Sequence, residues 1–343
     1  MADRTADFDY ELPPELIAQA PLPQRDASRL LVVDRAAGTT AHRTFADFPG
    51  FPAAGDVVVI NDSRGIPARL HARRRGGGAA EVLLVTREAE GTWRALVRPG
   101  ARIRAGARLD LGEGDQVEVI ATIDGGQRRV RLAGAGGDDA ILARHGQVPL
   151  PPYIARPPEP ADRERYQTVY ADAPGSVAAP TAGLHFTGAI LARLEERGVA
   201  VARLTLHVGP GTFQPVTDDD PARHRLDPEA YTLTPEAAAA IGRSRENGGK
   251  VWAVGTTVTR TLETCAAPDG TVSAGAGWTS LFIRPGHSFR AVDRLLTNFH
   301  LPRSTLLMLV SAFAGAEVVR RAYREAIEQR YRFYSYGDAM LVV

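Results

Sequence analysis

Three short apolar runs in this chain stop abruptly at polar residues. "VVVIND" ends in Asn61-Asp62, "RLTLHVG" in His207, and "VWAVGTT" in Thr256-Thr257. A carboxylate, an imidazole and a pair of hydroxyls are groups that move protons and hold anions. In open α/β sheets ligands gather beyond the carboxyl ends of the strands, so three such endings predict one site at one sheet edge.

Each ending has a chemical and a plainer reading. "NDSRGIPARL" places Asn61, Asp62, Arg64 and Arg69 within nine residues. The carboxylate suits a base and the arginines suit bidentate contact with anionic groups; an Asx turn with solvated charges is the alternative. "VGTTVTRTLE" predicts strand, tight turn and helix. The free N–H groups after Gly255, with the Thr256 and Thr257 hydroxyls, can hold a carboxylate or phosphate, and a simply capped helix start is the plainer reading. It lacks the lysine of a P-loop and the spacing G-x-G-x-x-G. His185 in "PTAGLHF" and His300 in "TNFHLP" lie in apolar surroundings and read as structural residues or as acid/base groups. Together with His207 they show no H-x-x-x-H or H-E-x-x-H spacing, so no metal site is expected. "HARRRGGG" carries Arg73, Arg74 and Arg75 into a glycine tip, which suits either phosphate contact or solvent.

The elements that must position these groups alternate in texture. Residues 1–70 read as mixed α/β, with strands in "SRLLVVDR" and "GDVVVIND". Residues 71–149 turn into short alternating runs separated by Gly, Asp and Pro, which predicts a small β-barrel or sandwich. The proline-rich stretch 149–183 is longer than most structureless connections and reads as a functional loop or a return between domains. From there to residue 343 the α/β pattern resumes, with Thr187, Thr234 and Ser304 as helix N-caps and Pro235 at a first helical position. The expected architecture is one discontinuous α/β domain, 1–70 and 150–343, interrupted by an all-β insertion.

With 343 residues the chain is long enough for two domains and a large core. Its amino terminus has no apolar signal-peptide core, and no stretch approaches the ~18 apolar residues of a membrane span. Cys265 is the only cysteine, which excludes intrachain disulfides. The expectation is a cytoplasmic monomer with no membrane partner. A formal net charge of +1 neither demands nor excludes a nucleic acid, although Lys250 is the only lysine and every other basic residue is arginine.

At these motifs the chain resembles the S-adenosylmethionine:tRNA ribosyltransferase-isomerase family of queuosine biosynthesis. The resemblance runs end to end through "FDYELPPELIAQAPLPQRDASRLL", "NDSRGIPARL", "RYQTVYADAPGSVAAPTAGLHF", "LTLHVGPGTFQPV", "VGTTVTRTLE", "RPGHSFRAVDRLLTNFHLPRSTLLMLVSAFAG" and "YRFYSYGDAML". It implies a three-layer α/β/α domain with an inserted β-barrel. It also implies transfer of the ribosyl part of S-adenosylmethionine to a 7-aminomethyl-7-deazaguanine at the tRNA wobble position, forming epoxyqueuosine and releasing adenine and methionine. S-adenosylmethionine is then a consumed co-substrate, and neither cofactor nor metal is expected.

Under that resemblance Asp62, His185, His207 and His300 are the acid/base candidates. Asn61, Arg64, Arg69, Thr181, Ala182, Gly183, Gly209, Gly211, Thr212, Gly255, Thr256, Thr257 and Asn298 are candidates for contact with S-adenosylmethionine or the nucleobase, and Arg73–Arg75 for tRNA. The chain departs from the family pattern at Gly65, at Ala79-Ala80 before Glu81, at Asp227 and at Thr259. A paralogue with a small amine acceptor and a non-catalytic RNA-binding protein are the competing expectations.

Overall fold

The computed structural model describes residues 4–88, 91–209, 211 and 216–343. In chain order its elements are β1 (Arg29–Asp34), β2 (Thr39–Thr44), β3 (Val57–Asn61), β4 (Ser63–Gly65), β5 (Arg69–Arg74), β6 (Ala79–Arg87), β7 (Trp93–Arg98), β8 (Arg108–Gly112), β9 (Asp115–Thr122) and β10 (Arg128–Ala133). There follow α1 (Gly137–His145), β11 (Gly146–Gln147), α2 (Asp162–Arg165), β12 (Ala173–Ser176), α3 (Gly188–Glu196), β13 (Ala200–Leu206), β14 (Glu229–Leu233) and α4 (Pro235–Glu246). The chain closes with β15 (Val251–Val254), α5 (Thr256–Cys265), β16 (Gly275–Thr279), β17 (Arg294–Asn298), α6 (Thr305–Ala314), α7 (Ala316–Glu328) and β18 (Ala339–Val342).

Nine strands form one mixed sheet in the order β16-β14-β13-β3-β15-β17-β18-β1-β2. Its centre explains the continuous apolar runs: β3 and β15 are buried at every position, as strands covered on both faces must be. Val57 and Val59 face the core built with α4 to α7, whereas Val58 and Ile60 face Phe45, Phe48 and the Ile190 side of α3. The result is the expected three-layer α/β/α arrangement. β13, β3, β15 and β17 are mutually parallel, so their carboxyl ends open on one edge.

The insertion is a closed antiparallel barrel, β5-β6-β7-β10-β9-β8, completed by Arg73↔Asp110 and Arg74↔Leu109 pairing of β5 with β8. Alternation fills it: Leu70, Val82, Leu84, Ala95, Val117, Val119 and Val130 point inward, and α1 adds Ile141 and Leu142. The proline-rich stretch is a structured return. Its α2 is anchored by buried Asp162, which accepts bonds from Arg156 (2.7 and 2.8 Å) and from the Tyr336 hydroxyl (2.7 Å). Its β12 then pairs in parallel with β4, laying residues 167–176 along the segment after Asn61. The expected caps hold, with Thr187, Thr234 and Ser304 accepting from Ile190, Ala237 and Leu307 N–H groups.

Candidate active site at the sheet edge

Asn61 ends β3 and is only 1% exposed, so its amide must be satisfied from within. Its Oδ1 accepts from Leu206 N and Ser63 N (both 3.0 Å), and its Nδ2 donates to Leu206 O (3.0 Å) and Thr257 Oγ1 (3.4 Å). One side chain thus ties together the ends of β3 and β13 and the start of α5. The next residue, Asp62, is half-buried and accepts from Thr205 Oγ1 at 2.7 Å.

His207 follows β13 and lines a cleft of ≈ 1250 Å³ between the α/β domain and the barrel. Its backbone N–H donates to Ala230 O (3.0 Å), which fixes the chain, while its Nδ1 is buried with no partner among the described residues. Burial lowers the imidazole pKa below the usual histidine value, and the Asp62 carboxylate opposes that shift. The ring is therefore neutral near pH 7 and free to accept a proton. Gly175, at φ +134°, leaves room for it, since a Cβ there would lie 3.1 Å from His207 Cε1.

Gly209 and Gly211 also line the cleft, and Thr212 lies outside the described residues. The backbone N–H of Gly209 donates to Glu229 Oε1 (2.8 Å). Glu229 in turn is ion-paired to Arg260 of α5, both almost wholly buried, and Arg260 Nε reaches Leu281 O (2.9 Å). A pair so placed costs several kcal/mol if one partner is lost; here it anchors the chain beyond His207 onto α5. The sequence reading missed both residues, because Glu229 opens a strand and Arg260 occupies a helix interior, where charges are ordinarily solvated.

Gly255 bridges β15 and α5 with φ +93°, a left-handed conformation suited to glycine. Ala182 packs against it, 3.4 Å from where a Cβ would stand. Thr181–Gly183 form a single turn, and Gly183 leaves space for Tyr170, whose hydroxyl would be 2.1 Å from an added Cβ. Tyr170 OH, Thr168 Oγ1 and Ser63 Oγ are buried and unpartnered among the described residues. The three residues do not line the cleft that holds His207. None of these three was singled out from sequence, where hydroxyl side chains in a proline-rich stretch carry no distinguishing signal.

The other two histidines stand differently. His185 is 4% exposed, stacks on Phe45 (centroids 5.0 Å) and bonds Ser28 Oγ through Nδ1 (2.8 Å) and Asn298 Nδ2 through Nε2 (3.1 Å). His300 bonds Thr297 Oγ1 (2.7 Å), its N–H donates to Tyr323 OH (2.9 Å), and its carbonyl accepts from Tyr10 OH. Burial pushes both imidazoles down to about pKa 3. Neither lines the cleft with His207. Asn298 ends β17 and shares this interior, donating to Tyr334 O (3.3 Å) with its own Oδ1 unpartnered among the described residues.

The arginines scatter. Arg64 is exposed and donates to Ala171 O (3.0 Å); Arg69 reaches Leu150 O (3.4 Å) at the start of the barrel. Arg73–Arg75 lie at the turn end of the β5–β6 hairpin, and none of the three lines the cleft. No group of three His, Cys, Asp or Glu able to hold a metal occurs among the described residues, and none of their helices is long and apolar enough to cross a membrane.

A three-layer α/β/α domain with an inserted six-stranded barrel, and a polar cleft where the two meet, defines the class. Comparison with known proteins narrows it. The family described as "Queuosine biosynthesis protein" matches residues 5–342. The chain is 55% identical to a protein of Symbiobacterium thermophilum, with 99% of this chain and 100% of that one aligned. It is 56% identical to one of an Anaeromyxobacter species, with 99% of each aligned. Both relatives are named S-adenosylmethionine:tRNA ribosyltransferase-isomerase. A crystal structure of S-adenosylmethionine tRNA ribosyltransferase from Thermotoga maritima is 39% identical and superposes with a TM-score of 0.56, covering 98% of this chain and 100% of that one. This chain belongs to the queuosine biosynthesis protein family.

Proposed function

We propose that this protein is an S-adenosylmethionine:tRNA ribosyltransferase-isomerase. It transfers the ribosyl part of S-adenosylmethionine to a 7-aminomethyl-7-deazaguanine at the tRNA wobble position and closes it to the epoxycyclopentanediol of epoxyqueuosine, releasing adenine and methionine. What carries the reading is the family match over residues 5–342, joined to a neutral, partly accessible imidazole in the cleft.

A sulfonium acidifies the C–H bonds of its neighbouring 5′ carbon, so the first demand of this reaction is a base. His207 is the residue for it, with Asp62 near enough to stabilise the imidazolium that forms. Loss of that proton leaves a carbanion on C5′. The amine of the deazaguanine bonds to C1′ in place of adenine, which leaves with the proton the amine gives up. The C5′ carbanion closes onto C1′ as the C1′–O4′ bond breaks, forming the carbocycle. The O4′ alkoxide on C4′ then displaces methionine from C5′ to close the epoxide. The Gly255–Thr257 turn and the free N–H groups of α5 hold the methionine carboxylate, while Ala182, Gly183 and Gly209 let the backbone approach the nucleoside. His185, His300 and Asn298 act from behind: neutral and hydrogen-bonded, they set the shape of the β17 end. Incubation with S-adenosylmethionine and tRNA bearing the aminomethyl base, with adenine followed by chromatography, tests the reading. Adenine is expected with that tRNA; release with the free base alone, or none with either, rejects it.

A further inference from the structure

The two walls of the cleft differ in charge. The α/β side is edged by His207, Asp227 and the buried Glu229–Arg260 pair. The barrel side presents Arg87, Arg94, Arg129 and Arg131 against two acids, Glu88 and Asp139. Alternation puts the arginines outside, because Ala95, Val130 and Leu132 take the inward positions beside them. Strand register then sets Arg94 directly opposite Arg129, with Arg131 two residues further along the same face.

Like charges opposite one another weaken a sheet, so such a wall needs a reason. Glu88 answers Arg129 at 2.6 Å. Arg94 reaches the neutral Gln127 (3.2 Å), and Arg131 stands exposed. Across the gap, on β16, Trp278 is 59% exposed, the most exposed of the large hydrophobic side chains among the described residues. The cleft also exceeds the roughly 300–1,000 Å³ that a small-molecule site occupies.

We propose that this cleft grips an unpaired loop of RNA, with Trp278 stacking on one base and Arg94 and Arg131 taking phosphates on the facing wall. Aromatic stacking combined with arginine contact to the backbone is the general chemistry for unpaired RNA. The assignment rests on the tRNA reading above and names which surface serves it. It also separates this wall from the Arg73–Arg75 hairpin. β6 is nine residues long, with the hairpin at one end and Arg87 at the other, a distance of about 26 Å along an extended strand.

Binding of an unmodified anticodon stem-loop RNA, measured by fluorescence anisotropy over a salt series, tests the assignment. Arg94→Ala with Arg131→Ala should flatten the slope of log affinity against log salt by about 1.4, the loss of two single-strand phosphate contacts. Trp278→Ala should weaken binding about 5- to 150-fold with the slope kept. Arg94→Lys with Arg131→Lys should retain the wild-type slope, which distinguishes lost charge from lost folding. The proposal is overturned if Arg73–Arg75→Ala flattens the slope while the Arg94/Arg131 variant does not, or if Trp278→Ala binds as wild type. Adenine release keeps the two readings apart. Wild-type protein that binds the stem-loop through this wall yet turns over no S-adenosylmethionine rejects the activity and keeps the wall; normal turnover with an unaltered slope in the Arg94/Arg131 variant does the reverse.

Discussion

His207 and His300 follow two strands of one parallel set, β13 and β17, and meet opposite surroundings. His207 lies on a cleft, half-buried, with one ring nitrogen unpartnered among the described residues. His300 lies under Tyr10 and Tyr323, buried, with its ring held by Thr297. His185 shares the second condition, between Phe45, Ser28 and Asn298. A histidine at the carboxyl edge of a sheet is thus not one kind of residue. What decides its chemistry is whether its nitrogens are already spoken for and whether a proton can reach them.

Four measurements would break or sharpen that contrast. The largest effect is expected at His207: His207→Ala should lower kcat about 10²- to 10⁴-fold, the usual worth of a general base, with the melting temperature nearly unchanged. Equal loss of activity and folding would place it with the other two.

Next is the support of the cleft side. Arg260→Ala removes the cation that faces the buried Glu229 carboxylate and should cost about 3–5 kcal/mol in chemical denaturation. Arg260→Met with Glu229→Leu should recover much of that stability but not activity, because Gly209 loses its acceptor.

The buried pair of histidines sets the third. Their folded pKa of about 3 lies below the ordinary 6.5 of the unfolded chain, so unfolding takes up protons between those values. Stability from this source is fully present above about pH 6.5 and falls as pH drops toward 3. Denaturation of a His185→Gln, His300→Gln double variant should show a flatter acid limb; an unchanged limb would mean that these rings titrate in the fold as they do in the unfolded chain.

The smallest effect concerns Asp62. Its charge raises the His207 pKa against burial, so Asp62→Asn should move the acid limb of kcat/KM to lower pH. A shift to higher pH would show that the carboxylate is not the group opposing desolvation there.

Much of the fold was legible because it is written in local patterns. The uninterrupted apolar run at Val57–Ile60 announced a strand covered on both sides, and Thr187, Thr234 and Ser304 announced helix starts. Barrel strands showed themselves by alternation, as in β9. The site was legible as a location rather than as a set of roles. Asn61 looked like a ligand contact, yet its amide is consumed in joining β3, β13 and α5. His185 and His300 looked equivalent to His207 because their covers, Phe45 and Tyr323, come from distant parts of the chain.

The sequence by itself determined the central strands, the capped helices α3, α4 and α6, the break into an α/β domain with a β-barrel insertion, and the sheet edge where polar residues collect. These follow from periodicity and capping, which act over a few residues. The insertion, expected to be all-β, also carries the helix α1 (Gly137–His145) against its barrel. Only the tertiary structure decided which polar residues remain available at that edge, and which face of the barrel looks onto it. Arg94 and Arg129 are 35 residues apart and become neighbours through the β7–β10 register; Glu229 and Arg260 meet only when β14 and α5 pack. Charge and proton affinity depend on such neighbours and on burial, and neither exists until the chain has closed on itself.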